Sequence, residues 1–405
     1  MEFWNDLAGT EEYVIGCRRW LHEHAELSDY EEETVAFIIE QLQASGVEYV
    51  NVPKGGVLGF IHGAKPGKTI LLRADIDALP MQEDPCNAKQ PKVCVSKNPG
   101  VAHTCGHDTH AAMLLASARI LQKHQQDFNG SVVLYFERGE EGGHGDYYLM
   151  QYILEHNIHI DGCWAIHNKV AIPTGTIALS PGPIYAGSTT WNTVIQGENA
   201  LACAVSIINS INTARMRGVS PYETCTLANT RMQFGTDKVA PGSCQISGNC
   251  RYYDMDAVGR PMRDIIYETV KYNCEVYDCT TEAPLRKRNM SRPCINNPAC
   301  VRIAKEALSA VIGQENLLEQ DQAMGHESYS ILAAYYPSIM CGLGARNEEK
   351  GMTVGAHNPR FEPDEACLKI GVAATLAYTQ AFLTYKQPIP FRPFTGSVEE
   401  FFHPV

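Results

Sequence analysis

The sequence predicts a larger α/β domain that is interrupted by a smaller α+β domain. Short apolar strands alternate with helical patterns in the first half of the chain, a different order of elements follows Pro183, and the earlier pattern returns after residue 297. We therefore expect a larger domain at 1–185 and 298–405, with a mixed, largely parallel sheet flanked by helices. An α+β sandwich is expected as an insertion at 186–297. The length of 405 residues suits two or three domains.

The larger predicted domain begins with helical sequence and continues with strands that are bounded by Gly and Pro. Apolar residues recur at helical spacing between Cys17 and Gly46, and again between Thr109 and His124. Because parallel strands need crossover helices, this alternation favours a largely parallel sheet, in which ligands bind at the carboxyl ends of the strands. The other predicted elements are the strands Val57–His62, Thr69–Arg73, Val132–Glu137, Gly162–His167 and Pro337–Leu343 and the helices Ala299–Ile312 and Asp364–Tyr385.

The inserted segment shows the order strand, helix, strand, strand, helix. This content is typical of a small α+β sandwich. The predicted strands are Trp191–Gln196, Cys225–Gln233 and Ser243–Tyr252, and the predicted helices are Leu201–Arg217 and Asp256–Asn273.

Composition excludes several classes of partner. A formal net charge of −13 offers no clustered basic surface for nucleic acid. No uninterrupted apolar run approaches the ~20 residues that span a bilayer, so we expect no membrane partner. The first residues lack the basic and apolar regions of a secretory signal, and we expect a cytoplasmic protein with reduced cysteines. Cys86 and Cys94 flank a polar insertion, Asn87 to Val93, and they could form a surface disulfide or none. The longer segment from Cys86 to Gly100 is expected to be an extra loop.

The strongest local signal is the segment His103–His110, which contains three His, one Cys and one Asp. A Cys and a His that are two residues apart on extended backbone point to the same side and can share a metal ion. The alternative is a polar helix start that is capped by Asp108 or Thr109. The density of ligand types favours a metal site.

A second signal is the pair of adjacent carboxylates Glu140 and Glu141, which glycines follow directly after a predicted strand. Such a segment suits a loop at the end of a strand better than a strand interior. One carboxylate can bind a metal while its neighbour acts as a base. The alternative is a solvated acidic turn.

Two isolated histidines complete the candidate site. Each of them alone could be a hydrogen-bonded structural residue, but a strand end and a glycine loop place both within reach of one sheet edge. Nitrogen, sulfur and oxygen donors together favour Zn, Mn, Ni or Co, and five ligands can serve two ions if one ligand bridges. The candidate ligands are Cys105, His107, Glu141, His167 and His357, and Glu140 is left as the general base that takes a proton from the activated water.

In their order and spacing these motifs resemble the co-catalytic metallopeptidases of family M20, in the amidohydrolase branch of aminoacylases, hippurate hydrolases and auxin-conjugate hydrolases. The resemblance implies a two-metal site with the ligands and base just given, an inserted lid domain that dimerises, and hydrolysis of N-acyl amino acids. The motifs are Cys105-Gly106-His107-Asp108, Glu140-Glu141-Gly142-Gly143, His167 with Pro173-Thr174-Gly175-Thr176 after it, and Ala356-His357-Asn358-Pro359, with support from Arg18-Arg19-Trp20-Leu21-His22, Leu72 to Pro80 and Gly325-His326-Glu327-Ser328.

The lid departs from the family pattern. The family has a His in this stretch that helps to polarise the scissile carbonyl, whereas this chain has Leu201. Asn199 or Lys238 is the predicted replacement, and Lys238 could instead bind an acidic group of the substrate. Arg251 and Glu327 are further candidate substrate-binding residues.

These observations favour a metal-dependent hydrolase of an amide C–N bond, with one or two divalent ions and with an N-acyl amino acid or related small amide as substrate. One alternative keeps the same chemistry but attacks an aryl-amine or amidine C–N bond. Another is a catalytically weak binding protein that retains the fold, although Glu140 argues against it because metal binding alone needs no base. The resemblance further implies a homodimer that forms through the lid.

Overall fold

The computed structural model describes residues 6–235, 242–281 and 290–402. The chain divides into two compact units. Unit 1 consists of Met1–Gly182, Ile295–Asp321 and Ile331–Phe394, and unit 2 consists of Pro183–Cys294, Gln322–Ser330 and Thr395–Val405. The assignment of the inserted segment as a lid and dimerisation domain stays a prediction.

The elements are close to those that the sequence predicts. The helices are α1 (Glu11–Glu23), α2 (Glu32–Ala44), α3 (His107–Lys123), α4 (Gly145–Glu155), α5 (Ala200–Gly218), α6 (Arg260–Val276), α7 (Pro298–Ile312), α8 (Ser330–Tyr335), α9 (Ala366–Thr384) and α10 (Val398–Phe402). The strands are β1 (Glu48–Val52), β2 (Gly56–His62), β3 (Thr69–Asp75), β4 (Ser131–Glu137), β5 (Gly162–Pro173), β6 (Ile177–Ala178), β7 (Gly182–Tyr185), β8 (Gly187–Gln196), β9 (Cys225–Phe234), β10 (Ser243–Tyr252), β11 (Thr280–Thr281), β12 (Met290–Ser291), β13 (Cys294–Asn296), β14 (Leu317–Leu318) and β15 (Ser338–Arg346).

Unit 1 is built on a mixed sheet with the strand order β1-β2-β4-β3-β5-β15-β6-β14. Its centre is parallel, because β4, β3, β5 and β15 run in one direction. The pairs β1–β2, β2–β4 and β15–β6 are antiparallel. The central strands are apolar and buried along most of their length, as expected for a sheet that is covered on both faces. The predicted α/β class with a largely parallel sheet is confirmed.

Helices α3 and α9 lie in the core of unit 1. Most residues of both helices are buried, which accounts for the apolar composition of α9 on all sides. Helix α9 is also long and apolar enough to cross a membrane, but a core helix has the same composition. It is held to the sheet at Trp164 of β5, whose ring stacks on Tyr378 at 4.6 Å and whose indole N–H donates to Thr375 at 3.1 Å.

Unit 2 contains an antiparallel sheet with the order β11-β8-β10-β9, and β12 also pairs with β8. Alternate residues of β10 are buried, so one face of the sheet packs against α5 and α6. Ile195, Ile207, Ile246 and Ile266 are among the residues of that core. The order β8, α5, β9, β10, α6 is the strand and helix order that the sequence predicts.

All 15 cysteines are free thiols, and most of them are buried. Cys94 is buried and accepts a hydrogen bond from the Arg18 guanidinium at 2.9 Å, whereas Cys86 is half-buried. These two residues of the polar insertion are therefore not joined by a disulfide.

Candidate metal centre and active site

The parallel strands of unit 1 bring the segments of the site to one edge of the sheet. Asp75 at the end of β3 lies opposite Glu137 at the end of β4, and His167 on β5 lies opposite Gly342 on β15. Arg73 ties the first two strand ends together, because its guanidinium donates to the carboxylates of Asp75 and Glu137, each at 2.8 Å. The loops that follow β3 and β4 therefore leave the sheet side by side.

His167 does not end its strand as the sequence predicts. Strand β5 continues to Pro173, because β15 runs beside it as far as Arg346. The ring Nδ1 of His167 donates to the carbonyl oxygen of Asn168 at 2.8 Å, and its Nε2 lies 3.7 Å from Cys105 Sγ. Burial lowers the pKa of His167 well below its ordinary value, which keeps the ring neutral and leaves Nε2 as an electron-pair donor.

A left-handed glycine joins Cys105 to helix α3. Gly106 has a φ of +86°, and a Cβ at this position would collide with the side-chain amide of Asn168. That amide donates to the carbonyl oxygens of Cys105 and Gly106 at 3.2 and 3.1 Å. Glycine therefore allows β5 to approach the loop closely, and this approach fixes Cys105 and His107 on either side of the turn.

His107 is oriented by a buried carboxylate. Its Nδ1 lies 3.0 Å from Asp77 Oδ1, so Nδ1 carries the hydrogen and Nε2 faces the site. Within the described residues Nε2 has no hydrogen-bond partner, and it lies 3.9 Å from Glu141 Oε1. Burial alone would lower the pKa of His107, but the charge of Asp75, the neighbouring Cys105 and the hydrogen bond to Asp77 raise it well above its ordinary value.

Glu141 is placed by the same carboxylate. Its backbone amide donates to Asp77 Oδ2 at 2.9 Å. Its Oε1 lies 3.0 Å from His357 Nε2, but the two atoms are not aligned for a hydrogen bond, and Oε1 has no other partner in the described part of the chain. The Glu141 oxygen and the His357 nitrogen, both possible metal ligands, thus lie close together without forming a hydrogen bond.

His357 sits in a strained loop that the polar insertion supports. It is a non-glycine residue with a φ of +59°, its amide donates to the carbonyl oxygen of Thr104 at 2.8 Å, and its side chain is 54% exposed. The carbonyl oxygen of Pro359 accepts from Lys92 Nζ at 2.7 Å and from the amide of Asp84 at 3.1 Å. The insertion after Cys86 therefore helps to hold the loop that carries His357.

The side chains of the candidate ligands converge in overlapping groups. In each group, one donor atom per residue lies within 4.8 Å of the donor atoms of the others. The groups are Cys105 with His107 and His167, Cys105 with Glu141 and His357, and His107 with Glu140 and Glu141. All five predicted ligands and the predicted base thus meet at one place in unit 1.

A fourth group contains Asp75, His107 and His110. The two ring nitrogens of His110 are already engaged, since Nδ1 lies 2.5 Å from Asp75 Oδ1 and Nε2 accepts from the amide of Asn168 at 3.0 Å. We therefore interpret His110 as a hydrogen-bonded support of the β3 and β5 ends. Sequence reasoning did not assign roles to Asp75, Asp77 and His110, although the acidic residues after β3 are a visible signal.

The residues fit a divalent metal. Two donors on one tetrahedral zinc lie about 3.4–3.7 Å apart at ordinary bond lengths. The observed separation between Cys105 Sγ and His167 Nε2, 3.7 Å, lies within this range, and that between His107 Nε2 and Glu141 Oε1, 3.9 Å, lies slightly above it. Among the described residues, His107 Nε2 and Glu141 Oε1 are buried without a hydrogen-bond partner, which is costly unless a ligand binds them.

The described candidate substrate-binding residues Asn199, Arg251 and Glu327 belong to unit 2. Asn199 precedes α5 and donates to the carbonyl oxygen of Tyr277 at 3.3 Å, while Glu327 is buried and accepts from the amide of Tyr329 at 3.1 Å. Arg251 lies on β10. Lys238 lies outside the described residues.

Known proteins are similar to this chain over nearly its whole length. Thermostable carboxypeptidase 1 of Saccharolobus solfataricus is 32% identical over 388 residues, which cover 91% of this chain and 95% of the relative. N-acetylcysteine deacetylase of Bacillus subtilis is 29% identical over 374 residues, with coverages of 88% and 93%. A solved structure of a dinuclear metal binding peptidase from the M20 family of Bacillus subtilis superimposes with a TM-score of 0.75 at 28% identity, covering 93% of this chain and 99% of that chain.

The family model of "Peptidase family M20/M25/M40" matches residues 71–381, a range that includes every candidate ligand. Because this match covers more than half of the chain and a relative above 30% identity spans most of it, the protein belongs to peptidase family M20/M25/M40.

Proposed function

We propose that this metal-dependent amide hydrolase acts on N-acyl amino acids, with Glu140 as its general base. Its family and its relatives make it a hydrolytic enzyme that acts on small amides. The observation that carries the proposal is the convergence of nitrogen, sulfur and oxygen donors beside a second carboxylate. The residues that we assign to the metal are Cys105, His107, Glu141, His167 and His357.

These residues would hold one or two divalent ions. Their mixture of donors suits Zn, Mn, Ni or Co better than Mg or Ca. When bound, the metal lowers the pKa of water to roughly 7 and polarises the carbonyl group of the substrate. Asp77 keeps His107 Nε2 directed at the ion, because it binds the opposite ring nitrogen at 3.0 Å.

Glu140 is the group that we assign to proton transfer. It is adjacent to Glu141 in the chain, and its carboxylate belongs to the group that also contains His107 and Glu141. It takes a proton from the attacking water and returns it to the nitrogen of the leaving amine, so that the amine departs neutral.

The substrate class is supported by the relatives and by the cations of the chain. The relatives are named as a carboxypeptidase and as a deacetylase of an N-acetyl amino acid, and both names imply an amide bond next to an amino acid. An N-acyl amino acid carries a free carboxylate, for which Arg251 and Lys238 are the candidate partners. Asn199 and Glu327 remain the further candidates for substrate binding.

We also propose that the protein forms a homodimer through unit 2. Within the described residues β9 pairs only with β10, so its outer edge carries unpaired backbone groups. The unit also exposes Leu201 and Val205 on α5 and Met232 and Phe234 on β9. A second copy related by a twofold axis can pair with this edge and cover these side chains.

Loss of a ligand should remove the metal without unfolding the protein. We expect Cys105→Ala and His107→Ala to lose most of the bound metal and at least ~10² in kcat, because the remaining donors no longer complete the centre. Elemental analysis, circular dichroism and an amide hydrolysis assay measure this. The control Cys86→Ala should retain metal and activity. Full metal occupancy in both ligand variants would contradict the assignment.

Loss of the base should spare the metal. Glu140→Gln keeps the size of the side chain but cannot accept a proton, so kcat should fall by ~10²–10⁴ at unchanged metal content. Glu155 carries an exposed carboxylate on α4, so Glu155→Gln is the matched control and should keep full turnover. A loss below about tenfold for Glu140→Gln would place the base elsewhere.

The free carboxylate of the substrate should be required. N-acetyl amino acids should be cleaved at least ~10² more efficiently than the same compounds with an α-carboxamide, because a charged hydrogen-bonded pair is lost. Lys238→Ala and Arg251→Ala should reduce this preference if they bind that group. Equal rates on both compounds would argue against the substrate class, and ammonia release from aryl-amines or amidines would support the deaminase-like alternative.

Charge on the exposed face of α5 should prevent dimerisation. Light scattering at micromolar concentration should give twice the chain mass for the wild type and the single chain mass for Val205→Glu, because burying a carboxylate in an apolar interface is costly. Val276→Glu changes an exposed valine on α6 and should leave the dimer intact. A wild-type monomer at all concentrations would refute the proposed assembly.

A further inference from the structure

The side chain of Glu31 turns away from its own helix. Glu31 immediately precedes α2, a position at which an acidic side chain can cap the helix, but its carboxylate makes no such bond. Glu26 supplies the cap instead, since its carboxylate accepts from the amides of Glu33 and Thr34 at 3.1 and 2.8 Å. The carboxylate of Glu31 is therefore available to another segment.

That segment is the turn directly before Glu140. Oε2 of Glu31 accepts from Arg138 Nε at 2.8 Å, and Oε1 accepts from the backbone amide of Gly139 at 2.7 Å. Glu31 is fully buried, so these bonds are not exchanged for water. One carboxylate thus binds two successive residues of the loop with both of its oxygens.

The turn itself is tightly constrained. Gly139 has a φ of +68°, and its carbonyl oxygen accepts from the amide of Gly143 at 2.8 Å. Arg138 is fixed a second time, because its Nη2 donates to the carbonyl oxygen of Asp29 at 2.9 Å. The direction in which the chain leaves Gly139 sets where the next residue, Glu140, points.

We propose that Glu31 is a positioning residue, whose ionised carboxylate holds the Arg138–Gly139 turn and thereby directs the general base Glu140. This inference rests on the proposed function for the role of Glu140. Glu31 makes no contact of its own with the reacting atoms, and it acts through the backbone of Gly139. A displacement of a catalytic group by about 1 Å can cost up to ~10² in rate.

Charge is central to this role. The pKa of Glu31 is raised to about 7, above all by burial and also by the charge of Asp77, while the bonds from Arg138 and the backbone lower it in part. The exposed Glu32 also faces Arg138, with its Oε1 at 2.9 Å from Nη2. Above this pKa the ionised carboxylate accepts both bonds, whereas below it the protonated oxygen no longer accepts from a donor. The carboxylate of Glu31 therefore holds the turn most firmly at pH values above its pKa.

The test compares the wild type with Glu31→Gln as a function of pH. The glutamine has nearly the same shape but is neutral at every pH, so it resembles the protonated wild type. The ratio of wild-type to variant kcat should be close to one at about pH 5.5 and should rise to about tenfold or more at about pH 8.5. Metal content should be equal in the two proteins. A ratio that is constant across this range would show that Glu31 acts only through packing.

Glu32→Gln is the matched control. It removes the other carboxylate that binds Arg138, but this side chain is 77% exposed and does not contact Gly139. Its kcat ratio should stay near one at all pH values. A pH dependence as large as that of Glu31→Gln would mean that the total charge around Arg138 matters, and would overturn the specific role of Glu31.

Hydrogen exchange gives a readout that does not depend on activity. The Gly139 amide should exchange at least about tenfold faster in Glu31→Gln than in the wild type at about pH 8, and Glu32→Gln should leave it unchanged. Unchanged protection in Glu31→Gln would refute the proposal. If Glu140→Gln retains turnover while this exchange result holds, the proposed function fails but the anchoring of the turn stands.

If Glu31→Gln does not fold, Arg138→Gln provides a second test of the proposal. Because Arg138 lowers the pKa of Glu31, its removal should move the acid limb of the kcat profile to higher pH. An acid limb that does not move would overturn the role assigned to Glu31.

Discussion

The carboxylate of Asp77 is the constraint on which the candidate site depends. Its two oxygens join segments that are far apart in the chain: the ring Nδ1 of His107 at 3.0 Å, the backbone amide of Glu141 at 2.9 Å and the hydroxyl of Ser28 at 2.6 Å. Burial would raise the pKa of Asp77, but these bonds, that of His107 above all, lower it, so the group stays ionised. Without it the ring of His107 and the backbone at Glu141 would lose the anchor that they share.

A second set of buried charges holds the start of α3. Asp108 follows His107 and binds Arg18 Nε at 2.8 Å and His22 Nδ1 at 2.9 Å. The ring of His22 continues to Glu83 at 2.9 Å, and Glu83 binds Lys92 at 2.8 Å. Such buried networks contribute little net stability, but breaking one partner is expensive, which suits a structure that must keep one arrangement. The polar insertion is thus part of the support of the site.

Local sequence patterns predicted the parts of the structure that depend on local physics. The apolar runs gave the strands and helices, and the dense Cys, His and Glu motifs indicated side chains that the sheet does bring together. Contacts between distant segments could not be predicted in this way: Asp77 with His107 and Glu31 with Gly139 depend on the packing of loops. The continuation of β5 beyond His167 likewise depends on the partner strand β15. Leu201, which stands where the family has a His, is exposed on α5. Of the two predicted replacements for that His, Asn199 donates to the carbonyl oxygen of Tyr277, and Lys238 lies outside the described residues.

If Cys105 and the histidines bind one metal centre, X-ray absorption at the K-edge of the bound metal will detect their donor atoms. For zinc, we expect a sulfur scatterer at ~2.3 Å together with nitrogen and oxygen scatterers at ~2.0–2.2 Å. The sulfur contribution should disappear in Cys105→Ser, provided that the variant retains metal. A wild-type spectrum with nitrogen and oxygen alone around the ion would exclude Cys105 as a ligand.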